Sequence, residues 1–139
     1  MAFVIDASVV LAWLLPDERS EVARNLLLRA VRERPRAPSL LMLEVGNALL
    51  QAERRARLRR AVRLELLDAL TALPIALEPI AADAMLRADE LAARHSLALY
   101  DACYLELAIA RGYALATFDQ ALGAAAHKEG ILLVDPGRV

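Results

Sequence analysis

The sequence predicts an α/β fold: a three-layer sandwich in which a short, mainly parallel central sheet carries helices on both faces. Three observations lead there. Short apolar runs, rich in β-branched residues and lacking polar alternation, take turns along the chain with helical periods. The 139 residues suit one domain, taken as 1–139; a chain of that length buries about 68–70% of its unfolded surface, enough for a core without disulfides. No internal repeat, linker or low-complexity segment divides it.

Met1 to Ile5, β-branched and aromatic and closed by Asp6, reads as a buried first strand. Ala7 to Leu15 is apolar nearly all round and ends at Pro16. Asp17 is the expected N-cap of a helix from Glu18 to about Arg34, with Val22, Leu26, Leu27 and Ala30 on one face. Pro35 and Pro38 break the chain. Ser39 then caps a helix to about Arg55 that gathers Leu40, Leu43, Asn47 and Leu50 and ends in a basic cluster, where the dipole favours cations. A further amphipathic helix, Arg59 to Leu73, turns Leu66, Leu67 and Leu70 inward and Arg59, Arg60 and Arg63 outward. After Pro74 comes a short strand, Ile75 to Leu77, and Pro79 opens a helix to about His95. Leu99 to Arg111 is helical and stops at Gly112. Tyr113 to Thr117 is a strand, Gln120 to Lys128 a helix, and Ile131 to Val134 a last strand ending at Asp135-Pro-Gly.

Composition narrows the function. The longest charge-free stretch is the ten residues from Ala7 to Pro16, well short of the ~20 apolar residues that a membrane span needs. No basic segment precedes Asp6, which argues against a secretory signal. The single cysteine, Cys103, cannot form an intrachain disulfide and reads as a buried thiol in a reducing cytoplasm. The net charge of −1 hides an asymmetry: Arg19 to Arg63 holds twelve arginines against four glutamates, so it carries +8 while the rest carries −9. A guanidinium fork suits phosphate better than an ammonium does, although solvated outer helix faces produce the same pattern.

Four acids stand out. Asp6 follows the first strand and Asp119 follows Tyr113 to Thr117, both at strand ends, where doubly wound sheets bind ligands. Asp101 opens an otherwise apolar helix, and Glu44 interrupts Leu40-Leu-Met-Leu-Glu-Val-Gly-Asn-Ala-Leu-Leu50. Two unit charges ~4 Å apart at an effective dielectric near 20 repel by about 4 kcal/mol, so a pocket of four acids requires cations. No histidine pair or cysteine cluster accompanies them, and hard oxygen donors point to Mg²⁺ or Mn²⁺ rather than zinc. Read one at a time, Asp119 is also a good N-cap and Asp101 a dipole-favoured first-turn acid. Asn47, three residues past Glu44, suits either a hydrogen bond behind the acids or internal packing. His95 and His127 read as helix-end residues, Trp13 as core, and the few aromatic residues argue against extended base stacking.

Phe3-Val-Ile-Asp-Ala-Ser-Val-Val-Leu-Ala-Trp13, Leu15-Pro-Asp-Glu18, Glu44-Val-Gly-Asn-Ala-Leu49, Tyr100-Asp-Ala-Cys-Tyr-Leu105 and Leu115-Ala-Thr-Phe-Asp119 resemble, in order, the motifs of PIN-domain nucleases, most closely the VapC-type toxins of toxin–antitoxin pairs. The resemblance spans essentially the whole chain. It implies that Asp6, Glu44, Asp101 and Asp119 are the acidic quartet that holds catalytic Mg²⁺ or Mn²⁺; within it we expect Asp6 and Asp101 to ligate the metal most directly, Asp119 to complete the shell or hold its waters, and Glu44 to orient or deprotonate the attacking water. Ser8 and Thr117 match the family's small hydroxyl positions beside that site. It further implies a Mg/Mn-dependent endoribonuclease acting on RNA, the toxin of a type II pair, dimeric and restrained by a cognate VapB-like antitoxin. Two other classes compete. One is a non-catalytic PIN-like scaffold that binds RNA or protein. The other is a phosphoacceptor receiver domain, which needs adjacent acids after the first strand, where this chain has Asp6 followed by Ala7.

Overall fold

Phe3–Ile5 form β1, and all three residues are buried, as a strand covered on both faces demands. Around it the computed structural model, which describes residues 2–18 and 20–135, builds a four-stranded parallel sheet. The other strands are β2 (Arg36–Pro38), β3 (Ala76–Glu78) and β4 (Ala114–Ala116), in the order β3-β2-β1-β4. β1 meets β2 through Val4 and Arg36, and meets β4 along its whole length, from Phe3 opposite Ala114 to Ile5 opposite Ala116.

Helices α1 (Ala7–Leu14) and α2 (Glu21–Glu33) lead from β1 to β2. α3 (Leu40–Arg54) and α4 (Arg60–Thr71) lead on to β3, and α5 (Ala82–His95) and α6 (Leu99–Arg111) return the chain to β4. α7 (Gln120–Lys128) follows. Parallel crossovers are right-handed, which assigns α1–α4 to one face as the sheet grows toward β3 and α5 and α6 to the other as the chain doubles back. The packing agrees: α1 lies against α2, α3 and α4, while α6 lies against α5, α7, β1, β2 and β4. This reversal leaves a crevice beyond the carboxyl ends of β1 and β4, the switch point at which such sheets bind ligands. No helix among the described residues is long and apolar enough to cross a membrane.

The α/β sandwich is as the alternating pattern predicts, but several details differ. β2 was not legible: three residues that follow Pro35 and end on Pro38 show no period, and the strand exists through its ladder to β3. Pro38 closes it beyond its single pairing with β1, where a missing N–H costs least. α2 starts at Glu21, capped by the Ser20 hydroxyl, because Asp17 lies in a short 3₁₀ turn and pairs with Arg57 instead. Ser39 precedes α3 without capping it. The buried face of α3 is Leu41, Val45, Leu49 and Ala52, so Leu43 is exposed. Arg63 turns inward and pairs with Glu53 at 3.1 Å. Of the expected last strand only a single bridge forms, Leu133 to Leu115; Met1, Arg19 and the turn at Pro136-Gly137 lie outside the described residues. Trp13 is core, its Nε1 donating to the Ala23 carbonyl at 2.8 Å.

Candidate active site

Asp6 stands where β1 gives way to α1. Its amide donates to the Ala116 carbonyl, tying the ends of β1 and β4 together. Its side chain is 4% exposed and serves as the N-cap of α1. Oδ1 accepts from Ser8 Oγ at 2.6 Å and from the Val9 amide at 3.3 Å, and Oδ2 accepts from Thr117 Oγ1. Both hydroxyl protons are thereby committed to Asp6, and both hydroxyl oxygens accept in turn. Ser8 Oγ takes the Phe118 amide and Thr117 Oγ1 the Asp119 amide, each at 2.9 Å. Three of the roughly four lone-pair positions of the carboxylate are filled, leaving one on Oδ2. Burial pushes the Asp6 carboxyl above its ordinary pKa; Ser8, Thr117 and the Val9 amide pull it back, and the charge of Asp119 adds to the rise.

Asp119, three residues past β4, caps α7 by accepting from the Leu122 amide at 2.8 Å and is exposed. Asp101, in the first turn of α6, is half-buried; burial raises its pKa and Asp119 raises it further. Glu44 reaches the same region from α3. Burial raises its pKa most, the hydrogen bond from Tyr104 lowers it, and Asp101 and Asp6 raise it. The four acids thus share one electrostatic field, and none forms an ion pair among the described residues. Ser8 and Thr117 join them. Asn47 does not: it is exposed, and its side chain makes no hydrogen bond among the described residues.

Tyr104 is the residue that sequence reasoning missed. It is 1% exposed, and its hydroxyl donates to Glu44 Oε1 at 2.8 Å, leaving Oε2 uncommitted. Burial and the neighbouring acids hold the phenol well above its usual pKa, so it remains a donor. The signal was its spacing, since three residues after Asp101 puts it on the same side of α6.

A buried carboxylate with neutral partners only, beside three more acids, is a donor set that suits a hard divalent cation. No three histidine, cysteine or acidic side chains among the described residues stand around one point. That is compatible with Mg²⁺, which keeps several waters and takes one or two carboxylates rather than a full protein cage. Of the twelve arginines in the basic stretch, Arg29, Arg36, Arg57 and Arg63 pair with acids, and Arg24, Arg32, Arg34, Arg54, Arg55, Arg59 and Arg60 are exposed. His95 pairs with Glu129, far from this chemistry in role.

The PIN domain family model matches residues 3–128. Ribonuclease VapC3 of Pyrobaculum aerophilum is 34% identical over 123 residues, 88% of this chain and 92% of that protein. Among solved structures, VapBC2 of Rickettsia felis bound to a promoter DNA fragment superimposes with a TM-score of 0.70 at 14% identity, covering 96% of this chain and 98% of that one. Mycobacterium tuberculosis VapC20, described as a sarcin-ricin loop cleaving toxin, gives 0.68 at 19% identity over 98% of this chain and all of that one. These last two likenesses speak to the fold alone.

Proposed function

This chain belongs to the PIN-domain family, and on that premise we propose that it is a Mg²⁺- or Mn²⁺-dependent endoribonuclease, the toxin of a type II toxin–antitoxin pair. The observation that carries the reading is Asp6: a carboxylate buried at the sheet's switch point, with neutral partners and three acids in its field. Asp6, through the free position on Oδ2, and Asp101 would hold the ion directly, with Asp119 holding its waters. A bound divalent ion supplies charge neutralisation at the scissile phosphate and lowers the pKa of water.

The chain's own residues do the rest. Ser8 and Thr117 keep Asp6 in one rotamer and keep its carboxylate from swinging onto the substrate. Glu44, with its pKa raised toward the working range and Oε2 free, takes a proton from the attacking water at that oxygen. The water oxygen bonds to phosphorus as the ester P–O bond breaks, and the leaving oxygen takes up a proton from solvent. Exposed arginines of the basic stretch neutralise flanking phosphates. An antitoxin that covers this acidic crevice would restrain the enzyme, and we place both in the cytoplasm, the toxin as a homodimer. The description of the 34%-identical relative, a ribonuclease, supports this reading.

The test is cleavage of a panel of structured RNAs with and without Mg²⁺. Asp6→Asn keeps the shape and removes the charge, so the rate should fall by more than the roughly 10–100-fold expected for a residue that only supports a ligand. Asp101→Asn should behave alike, and parent-like cleavage by Asp6→Asn would refute the assignment. The arrangement of the acids, no three of them about one point, favours a second reading, a non-catalytic RNA- or protein-binding scaffold. Calorimetric titration with Mn²⁺ separates the two, since the scaffold binds none.

A further inference from the structure

The turn between α3 and α4 holds the densest run of cations in the sequence: five of the seven residues from Arg54 to Arg60 are arginines, and all five are exposed. Its backbone is held firmly. Ala56 adopts a left-handed conformation at φ 60°, the amides of Arg57 and Leu58 both donate to the Ala52 carbonyl, and Leu58 packs against the core. Folding does not account for the charges that this turn presents. Arg57 pairs with Asp17 at 2.7 Å, but among the described residues the side chains of Arg54, Arg55, Arg59 and Arg60 make neither an ion pair nor a hydrogen bond. Arg54 and Arg55 close α3, where the helix dipole favours cations; Arg59 and Arg60 open α4, where it opposes them. Together they repel one another, and a partner with regularly spaced negative charges would relieve that repulsion.

An uncharged track joins this turn to the acids. Eleven residues make about three helical turns, so Glu44 and Arg55 lie on one stripe of α3, about 16 Å apart along its axis, with Ala48 and Gln51 between them. α4 meets the opposite side of α3, through Gly46 and Glu53, and carries its acids Glu65 and Asp68 there. Glu53 is the only other acid of α3, and it pairs with Arg63. α1, which packs on α3, carries no charged residue. The acids beside the turn are Asp17, engaged by Arg57, and Glu18. A polyanion laid from Glu44 along this stripe therefore meets no unpaired carboxylate of α1 or α3 before it reaches the arginines.

We propose that the α3–α4 turn is a second RNA-binding site, one that grips backbone phosphates of the substrate remote from the bond that is cut. The inference rests on the nuclease reading above. A stacked strand carries one phosphate per about 3.4 Å, so a strand held at the acids and laid along α3 meets Arg55 roughly five nucleotides from the scissile phosphate. Guanidinium forks match phosphate oxygens, and contacts of this kind read no bases. The turn therefore adds affinity for long substrates without adding a sequence preference. An acidic protein segment would satisfy the same charges, but the uncharged track that leads from Glu44 favours a chain already held at the acids.

The test compares the full-length parent with a variant carrying Arg54→Gln, Arg55→Gln, Arg59→Gln and Arg60→Gln, which leaves the Arg57 pair and all four acids in place. The probes are a cleaved RNA of sixteen nucleotides centred on the cut and its central four nucleotides, which are too short to reach the turn. With Mg²⁺, KM for the long strand should rise about tenfold or more while kcat at saturation holds, and neither constant should change for the short one. In EDTA, where nothing is cleaved, four lost phosphate contacts lower the salt slope of binding to the long strand by about 2.8, so between 50 and 200 mM salt the parent should lose roughly fifty times more affinity than the variant. Lysine at the same four positions keeps the charges and should restore most of the long-strand affinity. An equal rise in KM for both lengths, or a salt slope like the parent's, would overturn the proposal while leaving the nuclease intact. If the parent cleaves no RNA, the nuclease reading falls, and the EDTA measurement on an oligouridylate of the same length still decides the role of the turn. Long-strand binding that the glutamine variant leaves unchanged refutes it, whichever other partner the turn then serves.

Discussion

Tyr104 shows how one buried hydroxyl can fix which oxygen a carboxylate presents. On the proposed nuclease reading it is a positioning residue: its proton occupies Glu44 Oε1, which leaves Oε2 uncommitted. Tyr104→Phe keeps the ring in the core and removes only that donor. The expected cost in stability is about 1 kcal/mol, because half-buried Glu44 can regain water. The rate should fall roughly 10–100-fold, as for other orienting partners. Since the lost bond is what lowers the Glu44 pKa, the acid limb of the pH–rate profile should move to higher pH. An unchanged profile would count against the role. Asp6 and Asp119 were legible because a carboxylate just past an apolar strand has no packing reason to be there. Tyr104 was not, because in sequence it looks like any core aromatic, and its partner lies sixty positions away.

At the level of elements, the chain stops three of its helices in the same way, and only one stop was visible. α2, α5 and α6 end in left-handed residues: Arg34 at φ 48°, Ser96 at φ 54° and Gly112 at φ 67°. Glycine announces itself; arginine and serine in that conformation do not. The strain they carry makes a prediction. Ser96→Gly should raise stability by about 0.5–1 kcal/mol, and Gly112→Ala, where a Cβ meets nothing within 4 Å, should lower it by about 1–2 kcal/mol through the backbone alone. Chemical denaturation of both variants checks the pair, and equal signs would contradict it. The helices with strong apolar periods could be read closely. β2 could not, because a three-residue strand that follows Pro35 and ends on Pro38 is defined by its neighbours. The last strand failed for the opposite reason: its residues have the right character, but Leu132 and Leu133 remain exposed and only one bridge closes.

For the molecule as a whole, the acid cluster is a liability that an ion would remove. Asp6, Glu44 and Asp101 all have raised pKa values. Below about pH 4 they are protonated in both folded and unfolded chains and cost nothing. As pH rises, the unfolded chain gives up these protons first, so the folded state binds more, and their contribution to stability falls until the folded carboxyls ionise too. Without metal, the melting temperature of the parent should therefore drop more steeply than that of Asp6→Asn as pH rises from about 4. Mn²⁺ fixed at about 100 times its Kd at pH 8 should restore about 2.7 kcal/mol there, or roughly 5–10 °C, and less at pH 5, where protons compete for the carboxylates. Differential scanning calorimetry measures all four conditions, and identical slopes would refute the linkage. The fold class was readable because alternation and length constrain it together, whereas the crevice depends on which strands become neighbours. β1 and β4 are neighbours although Asp6 and Thr117 are 111 residues apart. A ribosome therefore delivers Asp6 and Glu44 long before the strand that completes them, and Asp101 thirteen residues ahead of it. On the proposed nuclease reading, the site stays incomplete through most of the chain's synthesis, and a product cut short before residue 119 would lack one of its four acids.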